Sequence, residues 1–265
     1  MAHCGSLLSD KNMELKVFPT PEDVARAAAQ RFVSLRPKHV ALSGGSTPRV
    51  LYELLADPKE AFREQSAWEK THFFFTDERH VPPDHPESNY RMVNEALFSR
   101  APVPIENIHR MRGEAPAADA ARDYAHDLQR FFGEAIPAFD LILLGLGEDG
   151  HTASLFPHTT ALKETKRLVV APWVEKLKAY RITITLPVLN AARSVLFLVT
   201  GGSKAEILRE IIYADKTKAN LYPAQAVCPT NGEVSWFVDE AAARLCSISN
   251  SSNAGAVNDL LNKNP

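Results

Sequence analysis

The sequence predicts an α/β protein with a doubly wound, mostly parallel sheet and helices on both faces. Two observations indicate this class. Short apolar runs such as Leu141–Leu144 and Val195–Thr200 have the continuous hydrophobicity of strands that are buried on both sides. These runs alternate with longer amphipathic segments, and strands that alternate with helices imply right-handed crossover connections within one sheet.

Capping residues and amphipathic spacing predict the helices. Thr20 can cap a helix that begins at Pro21 and runs to about Leu35, and proline suits its first turn. Further helices are predicted over residues 48–56, 89–99, 117–134 and 204–213. Strands are predicted over residues 39–42, 72–75, 141–144, 168–171, 181–186, 195–200 and 234–238, with a polar, proline-rich loop over residues 76–88.

One domain is expected over residues 17–246. The 265-residue chain could hold one large domain or two small ones, but it shows no internal repeat and no low-complexity linker. Residues 1–16 are expected to be a flexible N-terminal segment. Residues 247–265, which begin with a stretch rich in Ser and Asn, are expected to be a frayed C-terminal tail.

Composition argues against several classes of function. The formal net charge of −2 gives no electrostatic reason to expect nucleic acid or a membrane as a partner, so a phosphate site must be a local basic cluster. Cys4, Cys228 and Cys246 form no CxxC pair, which argues against disulfides and a cysteine zinc site. No run approaches the roughly 18 apolar residues of a membrane span. We therefore expect a cytoplasmic protein, and we expect it to be a monomer.

Ligands of open α/β sheets bind beyond the carboxyl ends of the strands, so the loops at these ends are candidate sites. The first loop comprises Ser43, Gly44, Gly45, Ser46 and Thr47. Its glycines permit close approach of a ligand, its hydroxyls can donate hydrogen bonds, and the helix that follows attracts anions at its N-terminus. A tight turn with a Ser or Thr cap explains these residues equally well. The loop is not a P-loop, because the GxxxxGK[ST] pattern is absent.

The second loop carries Asp77, Glu78 and Arg79. These groups could bind sugar hydroxyls and a phosphate, or they could form a solvated turn whose charges cancel. Two histidines and an aspartate within residues 80–85 suggest a metal site. Their spacing matches no standard ligand pattern and prolines interrupt it, so no metal is expected.

The third loop, residues 145–151 (GLGEDGH), matches the GxGxxG pattern of dinucleotide sites. However, Glu148 and Asp149 would face the pyrophosphate and repel it. The next strand also ends without the acidic residue that would bind the ribose. We therefore reject a dinucleotide and expect no cofactor. A serine nucleophile is rejected as well, because the chain contains no GxSxG elbow.

The fourth loop, residues 201–204 (GGSK), brings Lys204 into the first turn of a predicted helix. A lysine opposes the helix dipole there, which suggests an anionic ligand, although a surface lysine is the commoner explanation. Arg181 begins a predicted strand. A solvated charge that merely flanks the strand is an alternative explanation for it. Each of these signals is weak when it is taken alone.

Together the four loops resemble the 6-phosphogluconolactonase family, which is related to the glucosamine-6-phosphate deaminases. The matching segments are residues 42–48 (LSGGSTP), 77–79 (DER), 88–90 (SNY), 147–157 (GEDGHTASLFP), 180–183 (YRIT) and 200–204 (TGGSK). The likeness covers about residues 17–243, and its most specific part is segment 147–157. It implies a Rossmann-like fold of the sugar-phosphate isomerase type, without a cofactor or a required metal.

The resemblance implies a carboxylic ester hydrolase that converts 6-phospho-D-glucono-1,5-lactone to 6-phosphogluconate, the second step of the oxidative pentose phosphate pathway. By position, His151 would be the general base that activates water, a role that suits a neutral imidazole. Asp149 would orient this ring or favour its charged form. It could instead cap a helix that begins at His151, and the two roles are compatible.

The ligand implied by the resemblance is a small phosphorylated sugar lactone. Its phosphate would lie against the loop at residues 43–47, with positive charge supplied by Arg79, Arg181 and Lys204. The oxyanion formed by attack on the lactone carbonyl needs hydrogen-bond donors, and the amides of the glycine loop are the candidates.

Two other functions are weighed against this one. Glucosamine-6-phosphate deaminases carry an acidic residue in the stretch after the histidine, where this chain has residues 154–157 (SLFP), and a tyrosine where it has Arg79. Both departures favour the lactonase. A regulator that senses sugar phosphates would need a DNA-binding module, and no basic helix-turn-helix is visible before Val17.

Overall fold

The computed structural model describes residues 13–213 and 222–246. The expected C-terminal tail at residues 247–265 lies outside the described residues. The strands are β1 (Met13–Phe18), β2 (His39–Leu42), β3 (His72–Phe75), β4 (Asp77–Arg79), β5 (Leu141–Leu144), β6 (Val169–Val170), β7 (Trp173–Val174), β8 (Ala179–Ile184), β9 (Ser194–Val199) and β10 (Glu233–Asp239). The α-helices are α1 (Pro21–Leu35), α2 (Ser46–Ala56), α3 (Ala61–Gln65), α4 (Asn89–Val93), α5 (Ala117–Phe132), α6 (Leu186–Leu189), α7 (Ala205–Tyr213) and α8 (Glu240–Ala243).

Six strands form a parallel sheet in the order β1-β10-β9-β5-β2-β3, which confirms the predicted doubly wound class. Every residue of β5 and β9 is buried, as their continuous apolar sequences predict for strands covered on both faces. Phe197 of β9 and Trp236 of β10 lie directly opposite each other, and their rings stack with centroids 3.9 Å apart. None of the helices within the described ranges is long and apolar enough to span a bilayer.

The strand order reverses next to β2, and this reversal positions the candidate site. The chain runs from β2 to β3 on one side and later returns to place β5 on the other side of β2. Loops that follow β2 and β5 therefore diverge and leave a crevice at the carboxyl edge of the sheet. The loop that follows β9 reaches the same edge, because β9 is parallel to β5 and next to it.

A second, antiparallel sheet joins β4, β8 and β6, and β7 also pairs with β8. The sequence prediction of a continuous loop over residues 76–88 is wrong at β4. Its sequence, Asp-Glu-Arg, has neither the apolar nor the alternating pattern of a strand. Pairing with β8 makes this segment a strand, and the pairing places Arg79 opposite Arg181.

The N-terminal boundary at residue 17 is also wrong for residues 13–16, which belong to β1 and pair in parallel with β10. This edge strand is half-buried and alternates in exposure, so its pattern is weak. Two smaller corrections concern helices. The helix predicted from residue 48 begins at Ser46, and the one predicted over residues 89–99 changes at Asn94 into a wider π-helical turn.

The outer edge of β3 is covered by the segment around His109. The backbone N–H of His109 donates to the carbonyl of Phe73 at 2.8 Å, and the N–H of Phe75 donates to the hydroxyl of Tyr124 at 2.9 Å. His109 Nε2 lies 3.1 Å from Nδ1 of His72. Burial and the neighbouring His72 lower the pKa of His109 to about 4, and burial lowers the pKa of His72 as well.

Lowering the pH from about 6.5 to about 4 should reduce the free energy of unfolding by about 1–2 kcal/mol through this pair, since both rings are only partly buried. The unfolded chain takes up protons at its histidines near pH 6.5, whereas the folded protein holds His109 neutral down to about pH 4. The contribution is therefore complete above pH 6.5 and is lost as the pH falls. Urea unfolding at a series of pH values measures it.

The variant His109→Gln should have a flatter dependence of stability on pH over this interval. His126→Gln removes an exposed histidine from α5 and should retain the wild-type slope. An unchanged slope in His109→Gln would contradict the assignment.

Candidate active site

A cleft of about 280 Å³ opens at the carboxyl ends of β2, β5 and β9. This volume lies at the small end of ligand pockets in proteins, which hold about 300–1,000 Å³. The predicted site residues that line the cleft are Ser43, Gly44, Gly45, Ser46, Thr47, Arg79, His151 and Lys204. Side chains from all four predicted loops therefore meet in one place.

The first loop brings unsatisfied hydrogen-bond donors to the cleft. Gly45 has φ +109°, a conformation that favours glycine, and it leads into α2, which begins at Ser46 without a side-chain cap. The first N–H groups of α2 are therefore available to an anion. The Ser43 hydroxyl is buried, and it has no hydrogen-bond partner within the described ranges. Thr47 Oγ1 lies 2.7 Å from Oγ1 of Thr200, which belongs to the matching segment 200–204 but was not predicted as a site residue.

Asn89, also missed as a site residue, fixes the shape of the first loop. Its side chain lies where a Cβ at Gly44 would be, only 1.9 Å from Oδ1, so position 44 requires glycine. Its Nδ2 donates to the carbonyl of Asp77 at 2.9 Å. Asn89 thus connects the loop after β2 to strand β4.

Glu78 holds Asn89 in place through a buried carboxylate with four hydrogen bonds. Oε1 accepts from the backbone N–H groups of Arg79 and Asn89, both at 2.7 Å. Oε2 accepts from the N–H of Tyr90 at 2.8 Å and from the hydroxyl of Ser88 at 3.0 Å. Burial raises the pKa of Glu78, while these bonds act in the opposite direction. Glu78 therefore stabilises the structure of the site and is not a ligand-binding group.

Asp77 is the second carboxylate of β4, and it does line the cleft. It is 7% exposed, and its Oδ2 accepts a hydrogen bond from Ser154 Oγ at 2.6 Å. Ser154 in turn receives support from Thr183, whose Oγ1 accepts from the Ser154 N–H at 3.2 Å. The Asp-Glu-Arg motif signalled Asp77, but the sequence could not show which of the two acids reaches the cleft.

Arg79 and Arg181 face each other across β4 and β8, and of these two only Arg79 lines the cleft. Arg79 Nη1 donates to the carbonyl of Glu87 at 2.6 Å, and Arg181 Nη1 donates to the carbonyl of Tyr180 at 3.1 Å. Burial lowers the pKa of Arg181, and the charge of Arg79 lowers it further. Like charges placed directly opposite each other are unfavourable, and a bound anion would relieve this repulsion.

His151 lines the cleft and is held from behind by Asp149. The Nδ1 of the ring lies 2.5 Å from Asp149 Oδ1, which also accepts the backbone N–H of His151 at 3.3 Å. Phe156 stacks on the imidazole with centroids 4.2 Å apart. No helix begins at His151 in the described structure, so the helix-capping alternative for Asp149 is wrong. Gly150, at φ +76°, turns the chain here instead.

A lysine outside the predicted set, Lys176, completes the surroundings of Asp149. Its Nζ lies 3.2 Å from Asp149 Oδ2. Burial raises the pKa of Asp149, but the hydrogen bonds and charge of His151 and the hydrogen bond from Lys176 outweigh it and lower this pKa to about 2. Asp149 is therefore ionised at neutral pH. Its carboxylate can then accept a hydrogen bond from the Nδ1–H of His151.

Lys204 enters the cleft from the turn that precedes α7. The turn follows Gly201, whose φ of +92° is again a conformation that favours glycine. Lys204 Nζ lies 3.9 Å from Glu148 Oε1, at the limit of an ion pair. Because its side chain is largely buried beside the cleft, its charge is available to a ligand there.

The fold and the cleft define the class of doubly wound α/β proteins that bind ligands at the carboxyl ends of a parallel sheet. The particular family follows from sequence. Residues 19–236 match the family described as glucosamine-6-phosphate isomerases/6-phosphogluconolactonase, and the chain belongs to this family.

Curated relatives and solved structures agree with this assignment. A 6-phosphogluconolactonase of Haemophilus influenzae is 42% identical over 234 residues, which cover 86% of this chain and 97% of the relative. A 6-phosphogluconolactonase of Synechocystis is 48% identical, covering 77% and 82%. The structure of 6-phosphogluconolactonase from Trypanosoma cruzi superposes with a TM-score of 0.78 at 31% identity, covering 90% of this chain and all of that chain.

Replacing Gly147 by alanine should displace the imidazole of His151. A Cβ at position 147 would lie 2.0 Å from Nδ1 of the ring, so the ring must move away from Asp149. The matched control is Gly145→Ala in the same loop, where a Cβ meets nothing within 4 Å. We expect the imidazole NMR signals of His151 to shift strongly in Gly147→Ala and little in Gly145→Ala. Equal shifts in the two variants would contradict this packing.

Proposed function

We propose that this protein hydrolyses 6-phospho-D-glucono-1,5-lactone to 6-phosphogluconate with His151 as the base that activates water. The observation that carries the proposal is the pairing of His151 with Asp149 in a cleft that also contains Arg79 and Lys204. A proton acceptor and two fixed positive charges in one small cleft suit a substrate that has both a neutral ester group and a phosphate group. The similarity to the 6-phosphogluconolactonases of Haemophilus influenzae and Synechocystis supports the same substrate.

The proposed reaction begins with proton transfer from water to Nε2 of His151. The Asp149 carboxylate accepts a hydrogen bond from Nδ1–H and so leaves Nε2 as the basic nitrogen. The water oxygen attacks C1 of the lactone, and its carbonyl oxygen becomes an oxyanion. As the tetrahedral intermediate collapses, the bond from C1 to the ring oxygen breaks. The ring oxygen then takes the proton from the imidazolium, which yields the open-chain acid and restores the base.

The phosphate in this proposal lies between Arg79, Lys204 and the loop at residues 43–47. The guanidinium of Arg79 can engage two phosphate oxygens, and Lys204 acts as a point charge. The Ser43 hydroxyl and the first N–H groups of α2 supply neutral donors. Arg181 would act from behind Arg79, as a charge that strengthens the positive field. Asp77 is placed to accept a hydrogen bond from a sugar hydroxyl.

The residues near His151 favour hydrolysis over deamination of an amino sugar phosphate. The stretch after the histidine presents Phe156, which stacks on the imidazole, where a deaminase carries an acidic residue. An aromatic ring cannot exchange protons with a sugar ring oxygen during ring opening. Release of ammonia from glucosamine 6-phosphate would overturn this choice.

The experiment that tests the proposal compares the phosphorylated lactone with unphosphorylated glucono-1,5-lactone, corrected for spontaneous hydrolysis. We expect kcat/KM to favour the phosphorylated lactone by more than about 100-fold, because two charge-assisted contacts contribute about 1.5–3 kcal/mol each. In Lys204→Ala the preference should fall about tenfold, mainly through KM, while the control Lys166→Ala, an exposed lysine, should keep it. Equal rates on both lactones would refute the phosphate site.

Replacing His151 by glutamine should lower kcat by about 10²- to 10⁴-fold, because a general base typically contributes this much. Glutamine keeps a polar side chain of similar length, so substrate binding should change far less than kcat. The variant His126→Gln, remote on α5, is the matched control for loss of a histidine. A His151→Gln enzyme with undiminished kcat would show that another group is the base.

A further inference from the structure

We infer that Lys176 is a positioning residue for the catalytic base, His151. Lys176 keeps the imidazole in place by binding Oδ2 of Asp149. The inference deepens the proposed function and rests on it. Lys176 lies outside the four loops that the sequence singled out, and it reaches Asp149 from a different sheet. Its Nζ is 3.2 Å from Asp149 Oδ2, on the far side of the carboxylate from the imidazole.

A tight hairpin brings Lys176 to this position. Strands β7 and β8 pair Trp173 with Tyr180, and the turn between them closes with a hydrogen bond from the Lys178 N–H to the carbonyl of Glu175 at 3.2 Å. Trp173 Nε1 donates to Glu175 Oε2 at 2.8 Å and fixes the start of the turn. Lys176 is the residue directly after Glu175. The hairpin therefore sets the position of the Lys176 backbone, although its side chain is largely exposed.

The geometry of Asp149 shows what this contact contributes. Oδ1 accepts both the backbone N–H and the ring Nδ1–H of His151. Oδ2 has Lys176 as its partner, so the two oxygens are held on opposite sides and the carboxylate plane cannot turn freely. Without Lys176 the carboxylate can rotate, and the imidazole loses the orientation that presents Nε2 to the cleft.

Lys176 also balances charge around the His151–Asp149 pair. The titratable groups beside the pair, outside the cleft and apart from Lys176, are Glu148, His158, Glu175, Glu206, Glu210 and Tyr222. The charged groups in the cleft are Asp77, Arg79 and Lys204. On the outer side Lys176 is the cation in contact with Asp149. Loss of its charge therefore leaves the pair in a more negative field, which favours the protonated imidazole.

The test uses Lys176→Met, with Lys178→Met as a matched control two residues further along the same hairpin. We expect kcat for the phosphorylated lactone to fall about two- to fivefold in Lys176→Met at unchanged KM, a size typical of an exposed ion pair. Lys176→Arg should recover most of the loss, and Lys178→Met should match the wild type. Thermal unfolding establishes that each variant is folded. An unchanged kcat in Lys176→Met, or an effect confined to KM, overturns the inference.

A double-mutant cycle separates positioning from direct contact with the substrate. If Lys176 acts through Asp149, then Lys176→Met should have no further effect on kcat in an Asp149→Asn background. A full additional loss in that background would mean that Lys176 acts elsewhere, and the inference would be wrong.

The pH dependence provides two readouts, and one of them, the NMR titration of the His151 ring, does not require turnover. The acidic limb of kcat/KM, and the NMR titration of the His151 ring, should both move to higher pH by a few tenths of a unit in Lys176→Met and not in Lys178→Met. A wild-type protein without lactonase activity would refute the proposed function alone, since the NMR titration still tests Lys176. An unmoved titration would refute the positioning role alone.

Discussion

The cleft depends on one buried carboxylate, that of Glu78, which joins strand β4 to the start of α4. Its four hydrogen bonds hold the backbone of Asn89 against β4. Asn89 then fills the space beside Gly44 and bonds the Asp77 carbonyl, so the first loop, Asp77 and Arg79 share one support. A buried carboxylate is tolerated only where hydrogen bonds replace its hydration, and Glu78 meets that condition through its four hydrogen-bond donors.

The site contains polar and charged groups whose interactions are not fully satisfied. The Ser43 hydroxyl is buried without a partner among the described residues, and Arg79 faces Arg181 rather than an acid. Such arrangements cost stability. In the proposed function, the phosphate of the substrate would relieve both of them.

The sequence predicted the parts of the molecule that depend on local pattern. The apolar runs of β5 and β9 and the capping of α1 by Thr20 are visible in single segments, and the structure confirms them. Strand β4 was not predictable in this way, because its Asp-Glu-Arg sequence becomes a strand only through β8. Lys176 was missed for the same reason, since its partner Asp149 lies 27 residues away in the chain. Contacts between distant segments produce no periodic pattern of residue types in the sequence.

The covered edge of β3 bears on whether chains of this protein can pair with one another. Strand β3 is aromatic, and the segment at His109 and the hydroxyl of Tyr124 satisfy outer backbone groups of Phe73 and Phe75. An uncovered strand edge of this kind is a template for pairing with another chain. Because the cover includes the His72–His109 pair, protonation near pH 4 should weaken it. We therefore expect this edge of the sheet to be best protected from pairing with other chains at a pH well above 4.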